Sequence, residues 1–284
     1  MTVPRIYFPE NVEKGDRCIL GKENLRYVKS VLRMRNGDRL FLFDGTGFEC
    51  EVLIRDFTAR DVIVEIVKKE RVQDKAISIT LFQALPKANK MDFIIRKATE
   101  LGVDTIIPFH SARSIPRLSP ETAVLKTLRW QKIATEAARQ CGAPGVPEIR
   151  KILSLAEALR YSQNPPSPPF PENPPSPPFG KGGLGGFSLE GTLRIIFWEG
   201  ESETGLRQVL RDKKHEGIKD FIIVVGPEGG FLREEVDRAV ALGFISVSLG
   251  RQILKVETAA LAILSIIQYE KGIFNNTGGK GQTE

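Results

Sequence analysis

Between Phe221 and Ala260 the chain twice repeats one local plan: a short apolar run, a glycine turn, then a helical pattern. Phe221–Val225 is FIIVV, long enough for a buried strand and too short for a core helix. Gly226-Pro227-Glu228-Gly229-Gly230 follows at once, a turn whose missing side chains let backbone N–H groups come close to a ligand. Leu232–Leu242 then predicts a helix, with Val236, Ala239, Val240 and Gly243 along one face. Ile245–Leu249 predicts a second strand, closed by Gly250. Arg251-Gln252-Ile253-Leu254-Lys255 leads from it into an apolar helix over Val256–Tyr269. Such a repeat belongs to an open parallel sheet. Both glycine turns then lie at one sheet edge, where ligands of α/β folds bind.

The same rhythm extends upstream to Ala76. Strands are predicted at Ile77–Ala84, Thr105–Phe109 and Leu193–Trp198, the last running into Glu199-Gly200. Asn89 caps a helix that Gly102 ends after Leu101, and Ser119-Pro120 opens a long helix to about Gln140. Ser154-Leu155-Ala156-Glu157 is a capping box, and a further helix is predicted over Ser202–Lys213. Before Ala76 the pattern is β-rich: Arg5–Phe8, Arg17–Leu20, Leu40–Asp44, Glu49–Ile54 and Asp61–Val67, separated by turn residues. One helix, Glu23–Leu32, carries Arg26, Lys29 and Arg33. Strands so spaced suggest a small barrel. The charged stretch Lys68–Lys75 reads as the junction, which divides the chain into domains 1–72 and 76–272.

One segment fits neither domain. NPPSPPF occurs at Asn164–Phe170 and again at Asn173–Phe179, followed by GKGGLGGF, and Pro165 to Pro178 holds nine of the 18 prolines. This composition builds no helix and no central strand, so 163–188 is expected to be a disordered insertion, with P-x-x-P recognition as its functional alternative. The tail 273–284, ending NNTGGKGQTE, is also expected to be disordered.

Composition narrows the function classes. Cys18, Cys50 and Cys141 form no C-x-x-C pair, and His110 and His215 stand far apart, so no metal site is expected. There is no apolar leader in MTVPRIYFPENVEKGDR and no run near the ~20 residues of a membrane span, so a cytoplasmic protein with no membrane partner is expected. The net charge of +6 permits a polyanionic partner. Arg26, Lys29, Arg33, Arg35 and Arg39 stand close together against Asp38 alone.

The 226–230 turn has neither the G-x-x-x-x-G-K-[ST] nor the G-x-G-x-x-G spacing, and Glu228 at its centre would repel phosphate. A ligand neutral or cationic near the loop is expected. GPEGGF at Gly226–Phe231 with LGRQILKVETA at Leu249–Ala259 resembles the signature pair of the RsmE family. These are SPOUT-class methyltransferases that methylate N3 of a uridine in bacterial 16S ribosomal RNA. Weaker matches are Pro4–Phe8, Val31-Leu32-Arg33, Lys97–Val103, Arg113-Ser114 and Val146–Ile149. The likeness covers everything except 163–188 and the tail.

The resemblance implies a SPOUT-like α/β domain with a C-terminal trefoil knot, preceded by a PUA-like β-barrel that binds RNA, in a homodimer. Its cofactor is S-adenosylmethionine. The loops implied to hold it carry Trp198, Glu199, Gly200, Gly226, Pro227, Glu228, Gly229, Gly230, Leu249, Gly250, Ile253, Leu254, Thr258 and Ala259. The substrate partner is 16S ribosomal RNA or the assembled small subunit. Arg5, Arg33, Lys87, Lys97 and Arg113 are the expected RNA contacts. Lys255 and then Arg251 are the candidates for stabilising charge on the uracil, and Glu257 or Glu228 for accepting its proton. Three residues depart from the family: Tyr27 replaces histidine, Ala143 replaces arginine, and Lys255 replaces the arginine of I-L-R. Lysine keeps the charge but loses the planar fork. Two alternatives stay open: a SPOUT-class enzyme acting on a ribose 2′-hydroxyl or another base, and a non-catalytic ribosome assembly factor.

Overall fold

The computed structural model describes residues 4–275 except 9, 11, 14, 45–47, 72–74, 144 and 164–190. The Pro-rich repeat and the tail beyond 275 therefore lie outside the described residues. The chain divides into two compact units. In described residues, the first holds 4–71 and 135–146, and the second holds 75–134, 147–163 and 191–275.

The first unit is a curled five-stranded sheet with β1 (Arg5–Tyr7), β2 (Arg17–Leu20), β3 (Arg39–Phe43), β4 (Phe48–Phe57) and β5 (Val62–Arg71) in the order β1-β3-β4-β5-β2. Val52, Ile54, Val62, Val64 and Ile66 alternate inward along β4 and β5 and meet Leu20, Val28, Leu40 and Leu42 in one core. Register shifts at Glu51/Val52 and Ile54/Asp56 curl the long β4–β5 ribbon, as bulges do. Lys68–Lys75 is not simply a connector. Its first part continues β5 to Arg71, paired with β4 at Glu51↔Lys68 and Phe48↔Arg71. The expected helix over Glu23–Leu32 is α1 (Lys22–Arg26), then a π-helical turn at Tyr27–Val31, after which Arg33 takes a left-handed φ of 55°. Arg139 stacks over the Tyr27 ring at 3.9 Å, and Arg5 Nη1 donates to the Ala143 carbonyl at 3.3 Å. Two of the three family departures thus sit in this unit's own packing.

The second unit is a seven-stranded sheet in which every pairing is parallel. In chain order it comprises β6 (Ser78–Ala84), α2 (Lys90–Glu100), β7 (Thr105–His110), α3 (Pro120–Cys141), β8 (Glu148–Ile149), β9 (Leu153–Ser154) and α4 (Leu155–Tyr161). It continues with β10 (Thr192–Phe197), α5 (Leu206–Arg211), β11 (Asp220–Val225), α6 (Arg233–Ala241), β12 (Ile245–Val247) and α7 (Val256–Glu270); of α3 only the part to Ala134 belongs to this unit, the rest to the first. The strand order is β12-β10-β11-β6-β7-β8, with β9 also paired to β7. Phe82, Ile107, Ile196, Ile222 and Val224 turn one sheet face to α4 and α6. On the other face α2 packs along α7, because Met91, Ile94, Ile95 and Ala98 repeat at helical spacing opposite Ala260, Ile263, Leu264 and Ile267.

Local chemistry moved several boundaries. The capping box at Ser154 forms as expected, with Glu157 N–H donating to Ser154 Oγ and Ser154 N–H donating to Glu157. The helix expected from Ser202 starts only at Leu206, because the Glu201 carboxylate accepts from the N–H groups of Glu203 and Thr204 and holds them in a turn. The strand expected to reach Leu249 stops at Val247, where Ser248 N–H turns to the Thr204 carbonyl. The tail is ordered slightly past Gly272: Ile273–Asn275 forms one 3-10 turn against α7.

Candidate active site at the carboxyl edge of the parallel sheet

β10, β11 and β12 end level with one another. Phe197 pairs with Val225 on one side and Val247 on the other. Three loops therefore leave one edge together: 198–205, 226–232 and 248–255. Trp198 N–H donates to the Val247 carbonyl at 3.1 Å, and Ser248 N–H to Thr204 O at 2.8 Å, so the first and third loops are tied by backbone.

Glycine is required in these loops by contact. A Cβ on Gly226 would lie 3.0 Å from the Phe231 ring, and Phe231 is buried and stacked on Phe109. At Gly229 a Cβ would meet Arg113 Cβ at 3.2 Å. Gly230 has φ +66° and carries the Glu199 carboxylate against its Cα. Trp198 lies under Arg233, 5.1 Å from guanidinium to ring centre.

Glu228 does not face the ligand side as an unpaired charge. Its side chain is only 22 % exposed, and it accepts from Lys90 Nζ at 2.9 Å and from the Lys87 N–H at 3.1 and 3.3 Å. The residue is exposed mainly through its backbone. The turn thus presents peptide groups outward, and the expected anionic centre of the loop is turned in and neutralised. Burial alone would raise the Glu228 carboxyl. The hydrogen bonds from Lys90, its own backbone N–H and Lys87 outweigh it and hold the pKa below the usual carboxylate range. These contacts favour Glu228 as a paired carboxylate and Glu257 as the candidate for accepting a proton. Glu257, second in α7, has Oε2 3.3 Å from Lys90 Nζ, and that oxygen is buried with no hydrogen bond among the described residues.

The cationic candidates are of a different kind. Lys255 is the N-cap residue of α7 and is exposed, as is Arg251. Among the described residues neither side chain has a hydrogen bond or ion pair, while the Lys255 carbonyl accepts from the Ala259 N–H at 2.8 Å. Ile253 is 83 % exposed, and Leu249, Gly250, Leu254, Thr258 and Ala259 lie on the same loop or in the first turn of α7. Pro227 is buried under the glycine turn.

The expected RNA contacts divide. The Arg5 side chain is 13 % exposed, bonded to Glu49 at 2.6 Å and stacked on Phe43, contacts that tie it into the first unit. Arg113 is exposed, but its Nη1 donates to the Gly229 carbonyl at 2.8 Å and braces the glycine turn. Lys97 pairs with Glu100 one turn along α2, at 2.8 Å. Arg33 and Lys87 are exposed residues.

Two contributors escape sequence reasoning. Glu235 accepts from Leu232 N–H at 2.9 Å and Ala112 N–H at 2.8 Å, joining the loop after β7 to the start of α6. Its three-residue offset from Leu232 was the available signal. Lys90 joins Glu228 and Glu257, and the signal there was a cation at the first position of a helix, where the dipole disfavours it. Among the described residues no cluster of three or more metal-binding side chains occurs, and no helix is long and apolar enough to cross a membrane.

An RNA methyltransferase domain family matches residues 73–268, and an RNA methyltransferase PUA domain family matches 14–67. The ribosomal RNA small subunit methyltransferase E of Bacillus subtilis is 28% identical over 267 residues, covering 92% of this chain and 93% of that protein. The protein of the same name from Synechocystis is 30% identical over 246 residues, covering 86% and 70%. The crystal structure of a ribosomal RNA small subunit methyltransferase E from Neisseria gonorrhoeae, bound to S-adenosyl methionine, superposes with a TM-score of 0.76 at 28% identity, over 94% of this chain and 98% of that one. A parallel sheet with its loops gathered at one edge, a curled PUA-like sheet before it, and matches of this extent lead to one conclusion: the chain belongs to the RNA methyltransferase family that includes the ribosomal RNA small subunit methyltransferase E proteins.

Proposed function

We propose that the chain is an S-adenosylmethionine-dependent methyltransferase that modifies N3 of a uridine in 16S ribosomal RNA. The observation that carries this reading is the edge itself. Three level strand ends present exposed backbone at 228–229, an exposed apolar Ile253, and Arg251 and Lys255 in one loop, two cations whose side chains have no partner among the described residues. These features fit the cofactor: with Glu228 turned inward the backbone of 228–229 is exposed at the turn, while Arg113 holds the Gly229 carbonyl and the Gly230 N–H closes on Pro227, and Ile253 and Leu254 offer apolar cover. The residues that would hold it are those of the three loops, with Thr258 and Ala259 at the start of α7.

S-adenosylmethionine supplies a methyl group on a sulfonium with its leaving group built in. The chain's own task is to hold donor and acceptor in line and to help N3 lose its proton. Alignment of that kind contributes about 7–11 kcal/mol to lowering a barrier, so loop geometry is the larger share. Lys255 is the residue proposed to stabilise charge developing on the uracil carbonyls, with Arg251, four residues earlier, as the second candidate. Glu257 is the remaining carboxylate candidate for the proton. N3 lies on the pairing edge, so the target uridine must be unpaired or flipped out.

The test is transfer of tritium from labelled cofactor to small-subunit RNA, with the product nucleoside identified by mass spectrometry. N3-methyluridine is expected. A 2′-O-methyl product would move the chain to another substrate, and absence of label with either free RNA or assembled subunits would leave a non-catalytic binder.

The homodimer is part of this reading. It is supported by exposed apolar residues on α3 (Val124, Leu125, Leu128) and on α7 (Ile266, Tyr269). A monomeric mass by light scattering would remove it. For the RNA contacts, Arg33→Ala should weaken RNA binding and reduce the log–log salt slope by about 1, with cofactor affinity unchanged. An unaltered slope takes Arg33 out of the footprint.

A further inference from the structure

The adjacent parallel strands β6 and β11 send their connections in opposite directions. β6 leads to α2 on the face where α7 packs, and β11 leads to α6 on the other face. The crevice between their carboxyl ends is the switch point of this sheet. Glu228 and Lys90 bridge it. Glu228, from the loop after β11, accepts from Lys87 N–H and Lys90 Nζ, both from the segment after β6. The same ammonium stands 3.3 Å from Glu257 on α7, two residues beyond Lys255. One cation thus joins the glycine turn to the beginning of the helix that Lys255 caps.

Two local features run against ordinary preference at this point. Lys90 puts a positive charge at the first residue of α2, the positive end of the helix dipole. Ala88, between the two tethered residues, has φ 54°, a left-handed conformation that a non-glycine residue adopts at a cost. Such conflicts collect at functional positions, where the surrounding contacts sustain them. Without the ammonium, two carboxylates would be left close together, and like charges at that range part or take up a proton.

We propose that Lys90 is a positioning residue for methyl transfer, locking the 226–230 turn to the start of α7 so that the bound donor and Lys255 keep one fixed separation. The proposal rests on the functional reading above, and hydrogen exchange separates the two. In Lys90→Met, amides of 226–230 and of the first turn of α7 should exchange faster together, whether or not the protein transfers methyl groups. With saturating RNA and cofactor, the single-turnover rate of Lys90→Met should fall about 100-fold, the scale of an ångström-sized misplacement. Cofactor affinity should fall less than about tenfold, a change of 1.4 kcal/mol. Lys90→Arg, which keeps the cation, should recover most of the rate. A role in stability alone would lower the melting temperature and leave the saturated rate intact. Should Lys90→Met not fold, Lys90→Gln carries the same comparison. A saturated rate within twofold of wild type, or unchanged exchange at both segments, overturns the proposal. A wild-type protein that transfers no label while the two segments still loosen together in Lys90→Met overturns the functional reading and leaves the structural lock standing.

Discussion

Lys255→Met should lower the single-turnover rate by about 100- to 1000-fold at saturating cofactor and RNA, the usual loss when one preorganised charge-stabilising group is removed. Cofactor affinity should stay within about threefold, because a loss confined to the transition state leaves ground-state binding in place. The exposure of Lys255 makes this a clean experiment. Its side chain has no partner to strand among the described residues, and a cation at the N-terminus of α7 opposes the helix dipole. The melting temperature should therefore hold or rise while the rate collapses. Lys255→Arg is the second half of the test. If a point charge suffices, the arginine variant matches wild type; if two uracil or backbone acceptors are gripped together, it exceeds wild type. A Lys255→Met enzyme with an undiminished rate removes the residue from the chemistry and transfers the role to Arg251.

Gly226→Val should cost roughly 10- to 100-fold in cofactor affinity, from about 1–3 kcal/mol of overpacking. Its Cβ would sit 3.0 to 3.3 Å from three atoms of the Phe231 ring. That ring is 3 % exposed and lies parallel to Phe109, with centroids 6.3 Å apart, so it has no space to retreat into. The strain is relieved by moving the turn, and the turn carries the backbone that meets the ligand. Gly243→Ala is the control. Gly243 has φ +81° but open space around its Cα, so alanine there should lower the melting temperature and leave cofactor affinity unchanged. Normal calorimetric affinity in a folded Gly226→Val protein would remove the turn from the binding site.

Much of the architecture was legible from local pattern. Apolar runs such as FIIVV can be satisfied only by burial on both faces, and glycine turns followed by helical spacing leave few alternatives to a parallel sheet. The capping box at Ser154 and the stop at Gly102 are likewise decided within a few residues. Boundaries failed where a side chain captured backbone groups from a neighbouring turn. Glu201 shortened α5 in this way, and the Thr204 carbonyl ended β12 early.

The candidate site was legible as three loops and much less so as chemistry. The sequence alone determined that glycine turns follow two apolar strands, that Trp198-Glu199-Gly200 follows a third, and that Lys255 stands at the entry to an apolar helix. Only the tertiary structure decided which charges are free. Glu228, Lys90 and Glu257 are far apart in the chain and meet because β6 and β11 are neighbours while α2 lies along α7. Arg5 and Arg113 looked as available as Arg33, yet one is consumed by Glu49 and the other by the Gly229 carbonyl. A charge's role depends on what the fold places within about 4 Å of it, and no local pattern carries that distance.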